Sequence, residues 1–426
     1  MIGFLALGSA IFYALSWVRI TDIDGIALPI SRLLGMLGVC YLPQVLRQST
    51  LHAGAAKRFF LVIGCAVCYI IFSGLVLGLH DVEGRQLFSF SLFYIEISKI
   101  VSGVGTASIV YLYLRQHRGN FLKFIACLNL SMKLCLGFTA LFLVLFLLKI
   151  PMDIDWLAPN KGGYVGIWDQ GTTLPRLAGT TPEPQAFSYA FVTPVLIGLA
   201  IARKNIMDFL WPFIGVMFLL ISFSKFSVIS LAVILFFLLI RHRGFGWVMC
   251  LLALIAIIPM LEGIFSSYVF KEFLEDGIES GAFAERAVMN RILWSQFLAH
   301  PLFGIGLGQF SVQGRDDIIA WLISKGMLQT TEKIVSWKGN MDYLTLLAET
   351  GLLGAIPIIS CVFFYTIQGL WWGKQIIRNN GSSLLLAVSL GTVVILCNMA
   401  IGYAFFHSLL WVNLAIICYL LDEQDG

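Results

Sequence analysis

Long apolar runs alternate with short polar segments along almost the whole chain. A helix needs about 20 mostly apolar residues to cross the hydrocarbon of a bilayer. Lipid offers no partner to backbone polar groups, so such runs predict membrane-spanning α-helices. About twelve runs are suitable, at 2–18, 26–46, 58–80, 89–114, 121–149, 185–202, 206–222, 225–240, 245–263, 341–368, 383–404 and 406–421.

Basic residues are unevenly distributed among the connecting segments. They follow even-numbered spans, at Arg47, Lys57, Arg58, Arg115, Arg118, Lys123, Arg203, Lys204, Arg241, Arg243, Lys374 and Arg378. Because positive loops stay in the cytoplasm, both termini are predicted to be cytoplasmic. Two hydrophilic stretches, about 150–184 and 264–340, then lie on the outer face. We predict an all-α fold over residues 1–426: a single polytopic transmembrane bundle of about twelve helices, capped by a helical second stretch.

Composition agrees with this pattern and narrows the classes of function. Hydrophobic residues make up 59% of the chain, charged residues 12%, and the mean hydropathy is +0.88. Water-soluble domains carry about 25% charged residues, which excludes that class. The net charge of +4 is small for 426 residues, so no nucleic-acid partner is expected. Cys65 and Cys68 form a Cys-x-x-Cys pattern that could bind a metal, but all the cysteines fall in apolar runs, where thiols pack well. Packing is therefore favoured, and we expect no metal and no cofactor.

Arg176 is the first candidate functional residue. It precedes the span at 185–202, in a turn rich in Pro and Gly on the predicted outer face. An arginine at this position can anchor a helix at the interface or bind an anionic substrate. Both interpretations are open.

The second outer stretch is predicted to contain a helix that carries Arg286 and ends near Pro301. Arg286 and His300 would share one face of it, but about 21 Å apart along the axis, so they cannot act on one atom. A Gly-x-Gly-x-Gly run follows at 304–308. It neither follows a strand nor precedes a Lys-Ser/Thr helix, which favours a tight structural turn over a phosphate-binding loop.

Two carboxylates, Asp342 and Glu349, fall at the outer end of the span at 341–368. A carboxylate that enters a membrane is costly and is usually functional or paired. Each is therefore a candidate functional residue, and each is alternatively a hydrogen-bonding residue at a helix terminus.

Three separated segments together resemble the O-antigen ligase and polymerase superfamily, which assembles bacterial envelope polysaccharides. The resemblance covers about residues 170–360, and its His-Pro to Glu-x-Gly block is the most specific part. The family's Arg, Gly and Pro-Asn pattern is similar to Arg176, Gly179 and Pro184-Gln185. Its Arg before His-Pro-x-x-Gly-x-Gly-x-Gly-x-Phe is similar to Arg286 and His300–Phe310. Its remaining segments, His-Asn-x-Tyr-Leu, Glu-x-Gly-x-x-Gly and Ser-Arg, are similar to Asn340–Leu344, Glu349–Gly354 and Ser224-Lys225.

Three positions depart from the family pattern. Asn340 stands where the family's ligases carry the histidine implied in activating the acceptor, Lys225 replaces an arginine, and Gln185 replaces an asparagine. The missing histidine favours an O-antigen or exopolysaccharide polymerase over a ligase that transfers the glycan to lipid A-core or to protein. It also allows a chain that has lost activity.

The resemblance implies a metal-independent glycosyltransferase acting on glycans linked through pyrophosphate to a polyprenyl lipid, on the periplasmic face of the inner membrane. Arginine offers a planar fork that suits phosphate oxygens, so Arg176 and Arg286 are assigned to the pyrophosphate. Asp342 and Glu349 are the candidate bases for the acceptor hydroxyl. Substrate-binding roles are assigned to Arg291, Lys225, His300, Asn340 and Tyr343. The expected partners are the lipid-linked oligosaccharide, membrane lipid, a flippase and a chain-length regulator.

Two other classes compete with this interpretation. A glycosyltransferase using lipid-phosphate sugars would place acidic residues in an outer loop, and Asp-x-Asp occurs at 22–24 and 153–155. A flippase would favour repeat symmetry around a midplane site, which the sequence does not display. Charges do occur inside predicted spans, at Arg32, Glu96, Lys99 and Lys133. Glu96 and Lys99 can pair on one helix face, and bracing of the bundle is favoured over an ion path.

Overall fold

The computed structural model describes most of the chain, and all structural statements below concern this part. The described residues are 1–15, 19–23, 26–48, 54–80, 88–152, 154, 157, 160–161, 163–168, 176–202, 206–222, 224–241, 281–324, 341–379, 381–400 and 407–425. Asn340 and the predicted span at 245–263 lie outside them.

The described residues are predominantly helical, as predicted. The helices are α1 (Ile2–Ile11), α2 (Ile30–Gly38), α3 (Leu42–Gln48), α4 (Ala55–His80), α5 (Phe90–Gln116), α6 (Arg118–Leu147), α7 (Pro184–Ile201), α8 (Ile206–Ile221), α9 (Lys225–Arg241), α10 (Gly281–Ala299), α11 (Phe310–Gln313), α12 (Arg315–Ser324), α13 (Asp342–Arg378), α14 (Leu384–Met399) and α15 (Ser408–Asp425). Among them α4, α5, α6, α7 and α13 are long and apolar enough to cross a membrane, and α1, α8, α9 and α14 are shorter apolar helices. The chain is therefore a helical membrane protein.

The first two predicted spans are not continuous helices. In the first, α1 ends at Ile11, and three residues later the Ala14 N–H donates to the Ser131 Oγ at 2.9 Å rather than to a carbonyl of its own segment. In the second, a 3₁₀ turn over Val39–Tyr41 separates α2 from α3. Pro43 explains this break, since its ring clashes with the carbonyl four residues earlier.

Short strands occur in segments that the hydropathy pattern assigned to a span or a loop. Strand β1 (Arg19–Ile23) pairs with β2 (Ile26–Pro29), and two further antiparallel pairs, with two residues in each strand, are formed within the first outer stretch. Those strands are β3 (Asn160–Lys161) with β4 (Tyr164–Val165), and β5 (Ile167–Trp168) with β6 (Arg176–Leu177). Strands of two residues are too short to show a period of two, so their sequence signal is absent.

One end of the bundle gathers helix termini and basic side chains. The Asp422 carboxylate of α15 accepts from the Ala55 N–H at 2.7 Å and from the Tyr111 hydroxyl at 2.6 Å. Arg115 and Glu423 form an ion pair at 3.8 Å beside them. The starts of α4 and α6 and the ends of α5 and α15 therefore share this end. The basic residues that they carry there are Lys57, Arg58, Arg115, Arg118 and Lys123.

Two hydrophobic clusters divide the structure. The large one fills the bundle, and the small one joins α10, α11 and α12 to the first turns of α13 through Met289, Leu293, Phe310, Ile318 and Ala348. Residues 281–324 are largely helical and share this small cluster, so the predicted helical folding of the second stretch is confirmed there. We call α10–α12 with their small cluster the cap.

Small residues bring α2 and α5 unusually close together. A Cβ on Gly35 would lie 2.2 Å from the Ser102 carbonyl oxygen, and one on Gly105 would lie 2.0 Å from the Gly35 carbonyl oxygen. Close approach at small residues is a common way for membrane helices to associate. It brings the charged residues of α2 beside those of α5.

Candidate functional site

The glycine-rich run after α10 forms a tight turn, as predicted. Gly304, Gly306 and Gly308 have φ values of 72°, 100° and 77°, which residues with a side chain rarely adopt. The Ile305 and Gly306 N–H groups of this turn donate to carbonyls of α13. We call residues 301–309 the glycine loop.

The glycine loop docks backbone to backbone against a break in α13. Gly351 has φ 65° and ψ −176°, so the predicted continuous span at 341–368 is wrong at this point, although helix continues to Arg378. The Leu352 N–H donates to the Pro301 carbonyl at 2.8 Å, and the Ile305 N–H donates to the Ala348 carbonyl at 3.0 Å. These bonds satisfy backbone groups that the interrupted helix leaves open.

Two glycines permit this contact. A Cβ on Gly304 would lie 2.5 Å from the backbone of Glu349, and a Cβ on Gly351 would lie 2.2 Å from the Leu302 carbonyl oxygen. Backbone atoms cannot move aside as a flexible side chain does. The close approach therefore requires glycine at both positions.

The carboxylate of Glu349 is buried beneath the glycine loop. Its exposed fraction is 4%, and it accepts the Phe310 N–H at 3.2 Å and the Gly308 N–H. Glu96 and Lys99 of α5 lie within electrostatic reach of it. Because backbone donors already occupy this carboxylate, a structural role for Glu349 is favoured over that of a general base.

Gln309 ties the glycine loop to the start of α5. Its side chain accepts the Ser89 N–H at 2.7 Å and donates to the Ser89 carbonyl at 3.0 Å. Gln309 is fully buried, so the pair is protected from water. The loop thereby fixes the starts of α5 and α13 relative to each other.

A small polar pocket lies between the starts of α2 and α15 and the first half of α5. Its lining includes Ser31, Arg32, Lys99, Ser102, His407 and Ser408. Glu96 and Lys99 form the ion pair that their spacing predicted. The Glu96 carboxylate acts electrostatically on Arg32, and Arg32 acts on His407. We call this the α2–α15 pocket.

Tyr189 of α7 connects this pocket with Asp342 and Arg176. Its ring packs against the His407 ring at 6.3 Å between centroids, with 68° between the planes. Asp342, only 2% exposed at the start of α13, and Glu183 both lie within electrostatic reach of Tyr189. Glu183 also acts on Arg176. Electrostatic interactions through Glu183 and Tyr189 therefore link two of the predicted site residues, Arg176 and Asp342.

Arg176 lies in β6, opposite Trp168 of β5. Its side chain is half-buried, and among the described residues its Nε has no hydrogen-bond partner. Desolvation lowers the pKa of the guanidinium, and the Glu183 carboxylate counteracts the shift. A guanidinium with an unused buried donor is suited to binding an anion.

The other predicted site residues occupy several places. On α10, Arg286 is half-buried and Arg291 is exposed, and the exposed His300 follows the end of that helix. No described contact joins Arg286 to Arg176, so their convergence on one pyrophosphate stays a prediction. The Tyr343 hydroxyl donates to the Leu396 carbonyl at 2.9 Å, which favours a positioning role. Lys225 begins α9, but its side chain is outside the described part.

Sequence reasoning missed the contribution of His407 and Tyr189. Both lie in or beside apolar runs, where a single histidine or tyrosine carries no distinguishing pattern. Arg32 and Lys99 were recognised as charges inside predicted spans, but were interpreted as bracing of the bundle. The separation of these residues along the chain gave no sign that they line one pocket.

Neither a search for metal-binding clusters nor comparison with known proteins assigns a function to these residues. Within the described ranges, no group of three or more His, Cys, Asp or Glu side chains is placed to hold a metal ion. A scan against protein-family models and a search of curated proteins find no match to this chain.

Proposed function

We propose that the chain is a polymerase of polyprenyl-pyrophosphate-linked oligosaccharide repeat units, of the O-antigen or exopolysaccharide kind. One observation carries the proposal: the two most specific segments of the family resemblance contact each other. The glycine loop, from the His-Pro segment, docks on the Gly351 break, from the Glu-x-Gly segment. Their contact explains why a sequence would combine these glycines with Glu349.

The proposed reaction transfers a glycan from its lipid pyrophosphate to a sugar hydroxyl. The hydroxyl oxygen forms a bond to the anomeric carbon as the bond from that carbon to the phosphate oxygen breaks. The hydroxyl proton passes to a carboxylate, and the polyprenyl pyrophosphate leaves with the bonding electron pair. Preorganised cations stabilise the charge that develops on the leaving group.

Arg176 and Asp342 are the best-supported candidates for these two roles. The half-buried guanidinium of Arg176 has an unused Nε donor for a phosphate oxygen. Asp342 is buried near Tyr189 and is the candidate base, because backbone N–H groups occupy the Glu349 carboxylate. Arg286 of the cap would complete the pyrophosphate site, with Arg291 or Lys225 as a further contact.

The proposed location is the bacterial inner membrane, with about twelve spans, cytoplasmic termini and a periplasmic site. The basic residues at the starts of α4 and α6 and at the end of α5 share one end of the bundle, which is expected of a cytoplasmic end. The cap and the α2–α15 pocket belong to the opposite helix ends. A ligase is less favoured, because Asn340 replaces the family histidine.

Deletion of the gene tests this proposal. Loss of a polymerase leaves single-repeat products on the final acceptor, whereas loss of a ligase leaves long chains on the carrier lipid, and gel analysis of surface polysaccharide distinguishes them. Purified protein in vesicles supplies the second test, with lipid-linked repeat units added from outside. Longer lipid-linked products and released polyprenyl pyrophosphate are expected. Movement of the substrate across the bilayer without a new glycosidic bond would identify a flippase instead.

A further inference from the structure

One face of the cap is apolar and exposed. Trp294 and Leu298 of α10, with Leu302 and Phe303 of the glycine loop, are each between 50% and 59% exposed. The other side of α10 is already in use, because it carries Met289 of the small cluster. In a cap surrounded by water, four large apolar side chains so close together in the sequence would remain uncovered. Surfaces of this kind usually mark contact with a protein or a membrane.

Contacts of α13 give the depth of this face. The Leu353 N–H donates to the Leu302 carbonyl at 3.3 Å. Farther along α13, the Tyr365 hydroxyl donates to the Ala55 carbonyl at 2.6 Å. Ala55 begins α4 at the end of the bundle that carries the basic residues of α4–α6, which we call the basic end. A helix from Leu353 to Tyr365 rises about 18 Å, so Leu302 lies about that far from the basic end.

Contacts of α4 give the same depth independently. The Tyr69 hydroxyl donates to the Leu302 carbonyl at 3.5 Å. From Ala55 to Tyr69, α4 rises about 21 Å, and it continues for about 16 Å more to its end at His80. The hydrocarbon of a bilayer is about 30 Å thick, so Leu302 lies within the half that is farther from the basic end. Tilting of the helices would place Leu302 deeper, because a tilted helix covers less of the layer per residue.

The exposed face of the cap also adjoins the lipid-facing sides of two spans. Leu353 and Ile356 of α13 are exposed, as are Phe72 and Leu75 of α4, and both helices are apolar enough to cross a membrane. Leu302 is hydrogen-bonded to both helices, so its exposed side chain lies beside theirs. Irregular backbone is tolerated at membrane depth where protein satisfies its polar groups. The two donors to the Leu302 carbonyl meet this requirement.

The order of side chains along α10 matches the polarity of a leaflet. Arg291, Trp294 and Leu298 share one side of the helix, since they are three and seven residues apart, and Arg291 is exposed. α10 packs on Ala348, which precedes the break in α13, and then leads to Leu302, which contacts α13 after the break. Toward the basic end, the face therefore changes from a cation to tryptophan and then to leucine. Phosphate groups, the interface and hydrocarbon follow one another in the same order.

We propose that this face of the cap inserts into the bilayer leaflet that is farther from the basic end. Trp294, Leu298, Leu302 and Phe303 contact phospholipid, and Arg291 lies at the phosphate groups. The cap is then a re-entrant element of the membrane domain, and the tip of the second outer stretch lies below the membrane surface. The partner is the phospholipid itself, so the inference does not depend on the proposed function.

Fluorescence quenching measures this depth in the full chain, reconstituted in phosphatidylcholine vesicles. A bimane group is attached to Arg291→Cys, Leu298→Cys or Phe303→Cys in a background without native thiols. Lipid spin-labelled on its headgroup should quench Arg291→Cys most. Lipid spin-labelled in its acyl chain should quench Leu298→Cys and Phe303→Cys to within about twofold of Ile356→Cys, on the lipid-facing side of α13.

Asp317→Cys is the matched control within the cap. Asp317 is exposed in the first turn of α12, so iodide in the water should quench this label and the acyl-chain spin label should not. Iodide quenching of Leu298→Cys and Phe303→Cys equal to that of Asp317→Cys would place the face in water and overturn the inference. Protection from both quenchers would overturn it too, by showing that protein covers the face; a disulfide between two copies of Leu298→Cys would identify a second chain.

A photoreactive lipid repeats the test without any substitution. Phosphatidylcholine with a diazirine in its acyl chain is mixed into vesicles that hold the unaltered protein, and the labelled peptides are mapped after illumination. Residues 294–303 should carry lipid to within about twofold of residues 353–367, whereas residues 313–317 should carry little. Absence of lipid from 294–303, with 353–367 labelled, would refute the insertion. Neither measurement uses a glycan, so failure of the proposed function would leave this inference standing.

Discussion

Replacement of Gly351 by alanine should separate the glycine loop from α13. At φ 65° and ψ −176°, Gly351 occupies a region that is essentially restricted to glycine, and a side chain there costs about 1–3 kcal/mol. The added Cβ would also lie 2.2 Å from the Leu302 carbonyl oxygen and 2.7 Å from the Gly304 nitrogen. Both atoms belong to the backbone, so the whole loop must move.

Movement of the loop also breaks the bonds that hold it. These are the bonds from Leu352 to Pro301 at 2.8 Å, from Ile305 to Ala348 at 3.0 Å and from Gly306 to Glu349 at 2.9 Å. Each contributes about 1 kcal/mol. Together with the strain, the expected local destabilisation is roughly 4–6 kcal/mol.

Hydrogen–deuterium exchange of the peptide covering 300–310 measures this effect directly. A local loss of about 4 kcal/mol should speed exchange by roughly a thousandfold. Gly137→Ala is the matched control, since a Cβ there meets nothing within 4 Å on the exposed side of α6, and alanine favours a helix by about 1 kcal/mol. Exchange in Gly351→Ala that equals the control would refute the proposed docking.

Further predictions concern the orientation of the chain in the membrane, the role of Arg176 in pyrophosphate binding, and the choice between Asp342 and Glu349 as general base. In a background without native thiols, a cysteine at Gln313 should react with an impermeant reagent from outside and one at Asn379 should not; the reverse labelling would invert the topology. Arg176→Ala should lower polymer formation about a hundredfold or more at normal protein level, and Arg176→Lys should restore only part of it, since lysine lacks the fork; full activity in Arg176→Ala would exclude a pyrophosphate contact. Asp342→Asn should abolish polymer in the vesicle assay with little change in thermal stability. Glu349→Gln should lower thermal stability more than Asp342→Asn does. A larger loss of stability in Asp342→Asn would instead assign the structural role to Asp342 and the general-base role to Glu349.

Hydropathy predicted the helical segments well and their interruptions poorly. A helix lies in each predicted span within the described residues, because burial in lipid leaves few alternatives to helical bonding. The interruptions of the helices depend on prolines, glycines and contacts with distant segments. The mean hydropathy of a run of residues contains no information about these. Gly351 is one of several glycines in α13, and only the glycine loop, far away in sequence, distinguishes it.

The candidate site could be predicted from the sequence where its residues lie close together along the chain. The glycines at 304–308 were identified from their spacing, and Glu349 with Gly351 from the family resemblance, and the two segments do contact each other. The α2–α15 pocket was not predictable, because Arg32 lies on α2, Lys99 on α5 and His407 just before α15. Their charge was visible in the sequence, but their proximity arises from the close packing of α2 on α5.

The small hydrophobic cluster contains residues from the outer stretch 264–340 and from the predicted span at 341–368. Ala348 of α13 is part of that cluster, and Leu344 packs against it, although both precede the break within the predicted tenth span. A fragment that ends where the apolar run begins would therefore leave the cap without one wall of its core. A soluble cap, or a bundle from which the cap has been excised, should be cut at Gly351, so that residues 342–350 remain with α10–α12.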